Sequence, residues 1–172
     1  MSLIAEVSPE LVKDAGKVAA FSELLKILLI DGRATLDPKY VARGRQLLPG
    51  TLKAEIQQDC RLSKHEDIIS TIIRFQFFAR QTKSSRSPFV SISATFLGEY
   101  RTAKGFRPTT KELDAFLKAN ATFNCWPYWR EYVQSSVARM DLPPTTLPFF
   151  RIKSISKDSR PKHLPEKKQT NH

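Results

Sequence analysis

Cysteine is nearly absent from the 172 residues: only Cys60 and Cys125 occur, far apart and without the spacing of a metal site. No disulfide framework can be built from them. Histidine is equally sparse, with His65 in an expected turn and His163 and His172 near the C-terminus, none in a metal-binding or catalytic spacing. With six glycines there is no Walker loop and no dinucleotide fingerprint, and neither HExxH nor a carboxylate pair with an evident acid/base relationship is present. Cys60 falls on the apolar side of an expected strand, where a thiol is usually inert. An enzyme is therefore not expected, nor any metal or cofactor. Long apolar runs are also missing. The longest, Leu24 to Ile30, is interrupted by Lys26 and is too short to cross a bilayer. The N-terminus lacks a basic segment followed by an apolar one, so the chain reads as cytoplasmic, without membrane insertion.

Acidic residues are the other shortage. Against 28 Lys and Arg there are 17 Asp and Glu, which leaves a net charge of +11 and a sequence pI of about 9.9. Residues 151–172 hold seven of the basic residues and two of the acids, hence +5 of the excess, in a stretch poor in apolar side chains. Such a composition cannot offset its ordering entropy by burial, and it reads as disordered from about position 157. Apolar residues make up 41% and aromatics 10% of the whole, enough for one packed domain.

What is present follows two periods. Pro9 suits a first helical turn, and Leu11, Ala15, Val18 and Ala19 recur at helical steps. The dense apolar stretch from Leu24 reads as a buried strand reaching Leu36, broken by Asp37-Pro38. Over 51–62 the apolar residues Leu52, Ala54, Ile56, Cys60 and Leu62 occupy even positions and charged or amide residues the odd ones, the pattern of a half-buried strand. Ile69 to Ala79 and Val90 to Tyr100 repeat it. The code then changes. Thr109 and Glu112 have capping-box spacing, predicting a short helix that ends near Asn120, and a second helix is expected from Pro127 to the Pro143-Pro144 stop. Strands first and helices last predict an α+β fold with helices on one face of an antiparallel sheet.

The charge keeps a nucleic-acid interface under consideration, since Arg74-Phe75, Phe78-Ala79-Arg80 and Tyr100-Arg101 interleave bases with aromatics. Phe75 and Phe77, however, share the apolar side of their strand, leaving Phe78 as the one aromatic on the polar side. No nucleic-acid signature is recognisable, and nucleic acid is the weaker expectation for a partner.

The most distinctive stretch runs Trp126-Pro-Tyr-Trp-Arg-Glu-Tyr-Val-Gln-Ser-Ser-Val-Ala-Arg139, then Leu142-Pro-Pro-Thr-Thr-Leu147. It resembles the SecB family of export chaperones, whose motif Pro127, Tyr128, Arg130, Glu131, Ser135, Val137, Arg139, Pro143 and Leu147 fit without a gap. The resemblance implies a four-stranded antiparallel sheet followed by a long helix, over 24–150, with 1–23 as an N-terminal extension of helical character and 151–172 as the basic tail. It further implies a homotetramer built as a dimer of dimers, and a holdase that binds non-native, extended polypeptide in apolar grooves without ATP. Its oligomer seam would then use Trp129, Tyr132, Val133, Ser136, Val137 and Met140, the alternative being that these pack inside the chain's own core. Client contacts would come from Tyr40, Val41, Leu47 and Leu48 after the first strand, from Leu142, Leu147, Phe149 and Phe150 after the helix, and from Phe78 and Trp126. The alternative for the loop residues is that they pack the loops down.

Three features depart from typical SecB, which is acidic. This chain is basic, it has the extension before Leu24, and Pro148-Phe149-Phe150-Arg151-Ile152-Lys153 lacks the Asn-Phe-Asp-type start of the family's last helix. These departures argue against docking to the translocation motor. They are shared by solitary SecB-like chaperones of toxin-antitoxin systems, whose client is the C-terminal segment of an aggregation-prone antitoxin. A dedicated client of that kind is the expectation, general protein export the alternative.

Overall fold

The computed structural model describes residues 3–39, 52–53, 59–65, 67–80 and 87–154. In chain order the elements are β1 (Leu3–Val7), α1 (Pro9–Ala20), β2 (Ser22–Leu36), β3 (Leu52–Lys53), β4 (Asp59–His65), β5 (Ile68–Ala79), β6 (Val90–Thr102), α2 (Thr110–Phe116), α3 (Thr122–Arg139) and β7 (Phe150–Ser154). The fold is α+β, as the order of the two periods predicts.

Period-two alternation builds the centre. In β5, Ile69, Thr71, Ile73, Phe75, Phe77 and Ala79 are buried while their neighbours are half-buried or exposed, and β6 alternates in the same way from Val90. Paired antiparallel, with Phe75 opposite Ala94 and Ile73 opposite Phe96, the two strands present one continuous apolar face. Leu52, Cys60 and Leu62 stand opposite Ala79, Ile73 and Thr71 on the outer edge of β5. These two short segments occupy the place of the expected single strand over 51–62, whose middle lies outside the described residues.

The first long strand does not neighbour the second in sequence. β2 pairs instead with β6, giving the order β2-β6-β5. Two register shifts, between Leu24 and Lys26 and between Leu29 and Asp31, leave Leu25 and Ile30 as extra residues. Such bulges let an apolar run without period-two order join a ladder without reversing every side chain. The expectation of a buried strand is corrected here. Leu24, Leu25, Leu28, Leu29 and Ile30 are all exposed, because among the described residues β2 pairs with β6 alone and the helix that covers the sheet lies over β5 and β6.

The helical code also needs correction. α2 starts as expected, with Thr109 Oγ1 accepting from the Glu112 N–H and Glu112 Oε2 accepting from the Thr109 N–H. It does not end at Asn120. A π-helical turn over Leu117–Ala121 carries it directly into α3, where the Thr122 N–H reaches back to the Leu117 carbonyl and its hydroxyl donates to the same oxygen at 3.1 Å. That side-chain bond supports the widened turn, which shifts the apolar face so that Phe116, Ala121, Cys125, Trp126 and Trp129 all enter one core. Pro127 consequently sits inside α3 rather than starting it. It lies on the exposed side beside exposed Phe123, so the ladder bond that proline deletes falls where water can replace it.

α3 ends before the proline pair. Asp141 adopts φ 53°, the Leu142 N–H bonds the Val137 carbonyl and the Asp141 N–H that of Ala138. These are the two bonds of a Schellman motif, with Leu142 and Val137 in the same apolar cluster. The motif turns the chain back along the helix. It then reaches β7, which pairs in parallel with β1 from Leu3 opposite Phe150 to Val7 opposite Ser154. The basic tail expected over 151–172 thus begins with a strand, Arg151 to Ser154; composition cannot reveal a ladder partner that far away in sequence.

α1 packs on α2 and the π turn through Leu11, Ala15, Ala115 and Ala119, and sends Val18 into the main core. Around this contact Lys17 bridges Asp14 and Glu112, at 3.3 and 2.8 Å, while Lys111 bridges Glu10 and Asp14. Burial alone would raise the Asp14 carboxyl; the hydrogen bonds from Lys111 and Lys17 outweigh it and hold the group below its ordinary range. Lys17, with the Thr109 main chain, brings Glu112 down from 4.5 to about 2. A lowered carboxyl stabilises the fold above its unfolded value and loses that contribution as pH falls towards the folded one. The α1–α2 contact is thus expected to weaken between pH 4.5 and about 2. Glu112→Gln should lower the thermal midpoint at neutral pH and flatten its slope across that window, measured by circular dichroism.

Candidate functional site

α3 lies on the sheet through two indoles. Trp129 stacks on Phe75 with centroids 5.5 Å apart and planes 14° apart, and Trp126 meets the same ring edge-on at 5.8 Å. Val133, Ser136 and Val137 continue this buried face, and the Tyr132 hydroxyl reaches Gly32 on β2, where a Cβ would stand only 2.6 Å from it. The helix also organises the returning chain. Trp126 Nε1 donates to the Pro148 carbonyl at 3.0 Å, Arg130 Nε donates to the Leu147 carbonyl at 2.9 Å, and the Trp126 and Phe150 rings lie 5.3 Å apart. Between these anchors Phe149 is turned outward, 65% exposed, with the Arg130 guanidinium 4.3 Å from its ring centroid. One aromatic is thereby presented to solvent on a held backbone, with a cation on one face.

A second apolar surface runs along β2. Leu24, Leu25, Leu28, Leu29 and Ile30 are between 38% and 50% exposed, and on α3 Phe123 and Tyr128 are about half exposed. Large apolar side chains concentrated on one strand and one helix flank form apolar patches of the kind that partners commonly cover. No helix among the described residues is long and apolar enough to cross a membrane.

Comparison of the sequence with family models and with curated proteins finds no match. Solved structures do match. A SecB-like chaperone of Mycobacterium tuberculosis, determined in complex with a ChAD peptide from the HigA1 antitoxin, superposes with a TM-score of 0.64 at 20% identity, covering 81% of this chain and 98% of that one. The fold is SecB-like. A protein of unknown function from Streptococcus agalactiae is similar more weakly, with a TM-score of 0.45 at 13% identity over 74% of this chain and 97% of that one.

Within the SecB-like fold, the residues singled out from sequence separate into groups. Tyr40, Val41, Leu47 and Leu48 lie outside the described residues. Phe149 is exposed, Phe78 and Leu142 are half-buried, and the Arg80 guanidinium stands 6.0 Å from the Phe78 ring centroid. Trp126, Leu147 and Phe150 are core residues. They hold the segment that displays Phe149 and present no surface of their own. Of the residues named for the oligomer seam, Trp129, Val133, Ser136 and Val137 are buried against the chain's own sheet, and Tyr132 and Met140 pack partly against it. Within the single chain the continuous helix turns that face inward. The side left open carries Phe123, Pro127, Tyr128, Glu131 and Gln134.

Sequence reasoning missed Phe123, Tyr128 and the exposure of β2. The available signal was the absence of period-two order in Leu24 to Ile30, which fits a bulged edge better than a buried strand. Phe75 and Phe77, which a base-stacking sheet would have to display, are buried.

Trp126→Phe keeps an aromatic ring in the core, removes the indole N–H bond to Pro148 and leaves the space of the second indole ring. It is expected to cost about 2 kcal/mol in urea unfolding and to speed amide exchange over 147–150 more than in the centre of β5 and β6.

Proposed function

We propose that this protein is an ATP-independent holdase that captures non-native or extended polypeptide on apolar surface, with a dedicated client such as the C-terminal segment of an aggregation-prone antitoxin. The observation that carries the reading is exposed apolar surface on a SecB-like fold, with Phe149 displayed on its anchored backbone. Aromatic contact area of this kind is sequence-tolerant, and an open strand edge supplies main-chain hydrogen bonds to any extended segment. The antitoxin peptide bound by the similar mycobacterial chaperone supports the choice of client class. A role in general export, with docking to a translocation motor, is favoured less. The outer side of the sheet bears Arg33, Arg74 and Arg101 beside Asp31, Glu23 and Glu99, a mixed surface where typical SecB is acidic.

The assembly in this reading is a homotetramer. β2 pairs only with β6 among the described residues, so its other edge is the natural place for a second copy, extending the sheet and covering Leu25, Leu29 and Ile30. The flank of α3 bearing Phe123 and Tyr128 is then the seam between dimers.

Three measurements test the proposal. The purified protein should suppress aggregation of a chemically denatured client at stoichiometric amounts without nucleotide, and Phe149→Ser should weaken capture several-fold while leaving the thermal midpoint unchanged. Light scattering should give a mass near four protomers, and the double substitution Leu29→Lys with Ile30→Lys should reduce it. A monomer inert towards unfolded chains would overturn the reading. Polypeptide recovered with the protein from its native host identifies the client.

A further inference from the structure

The β1–β7 ladder joins two ends of the chain that differ in how firmly they are held. β7 begins on a fixed backbone: Trp126 and Arg130 bond the carbonyls of Pro148 and Leu147, and Phe150 is buried against Trp126. β1 is five residues, Leu-Ile-Ala-Glu-Val, aligned with β7 through main-chain register from Leu3 to Val7. A two-stranded sheet is marginal by itself. Immediately after β1 stands Ser8, whose hydroxyl caps α1 by accepting from the Leu11 N–H. From that point α1 has independent attachments, with Val18 in the main core and Asp14 and Lys17 in the ion-pair cluster with Lys111 and Glu112. The arm can therefore leave β7 by rotating at Ser8 while α1 stays in place.

The arm's chemistry is that of an extended apolar client segment, and the edge it occupies begins next to Phe149. We propose that residues 3–7 are a built-in substitute for a client: they cover the β7 edge at rest, and a bound polypeptide strand displaces them. This rests on the holdase reading and adds to it a strand-accepting site, its resting occupant and a threshold for entry. Only a segment able to replace the ladder and also engage Phe149 displaces an arm tethered one residue away, whose local concentration is high. The arm thereby screens out short or weakly apolar peptides.

The test uses the full chain and a fluorescein-labelled, reduced and carboxymethylated lactalbumin as an unfolded probe, with binding read by anisotropy. In a parallel ladder alternate residues of a strand bond to a given neighbour, so Ile4→Pro with Ala5→Pro removes whichever of the two N–H groups faces β7. If the uncovered edge is populated at about one part in ten, this variant binds about tenfold tighter than the native chain. The converse variant joins Ala5→Cys to Ile152→Cys, which are register partners, in a Cys60→Ser background. Its oxidised form is expected to bind more weakly than its reduced form, a comparison within one folded molecule. Equal affinity of the native and proline chains, or weaker binding by the proline chain, overturns the arm while leaving the holdase standing; absence of binding in every form overturns both.

Discussion

Phe75 sits under two indoles, Trp129 stacked on it and Trp126 against its edge, and this aromatic contact sets the height and rotation of α3 on the sheet. Buried aromatic pairs contribute about 0.5–1.5 kcal/mol each beyond the area they bury, and their geometry is more restrictive than that of aliphatic packing. With the helix rotation set, its remaining positions have their surroundings decided. Val133 and Val137 face the sheet, Tyr132 reaches the space that Gly32 leaves free, and Phe123 and Tyr128 are left outside. The same rotation aims the Trp126 indole N–H and the Arg130 guanidinium at the returning backbone. The position of Phe149 is thus a consequence of how α3 rests on Phe75.

A single helix laid over β5 and β6 reaches β2 at Gly32 through Tyr132 and leaves Leu24, Leu28 and Leu29 exposed. That shortfall is the physical origin of the apolar edge, and it is the property the proposed holdase needs. Apolar residues that the chain cannot bury alone remain available to a second copy or to an unfolded segment. The bulges at Leu25 and Ile30 increase the supply, since they let a run of seven residues with six apolar members enter a ladder with apolar side chains on both faces. The N-terminal elements work in the opposite sense. α1 is tied to α2 by small-residue packing and ion pairs, and the strand before it closes an edge that would otherwise stand open beside Phe149.

Much of this was legible in the amino-acid order. The alternation in β5 and β6 predicted both strands and their buried faces, and Thr109 with Glu112 predicted the start of α2, because each signal is local and its geometry repeats within a few residues. The motif from Trp126 to Leu147 pointed to the SecB-like fold. Its residues prove to be largely internal: Trp126 and Arg130 orient the returning chain, and Val137 and Leu142 close the helix end. The helix boundary at Pro127 misled because proline is compatible with a first turn and also, on an exposed flank, with a helix interior. The π turn had no local signal strong enough to read.

The sequence by itself determined the class of fold and the inward face of each central strand, since these depend on spacing along the chain. Only the tertiary structure decided which apolar residues stay outside. Trp126, Phe149 and Leu29 look alike as composition; one is core, one is displayed on a held loop and one is exposed on β2, because exposure depends on which distant element arrives to cover a residue. The pairing of the chain's first strand with its last described one is the same kind of fact, a ladder between segments almost the whole sequence apart.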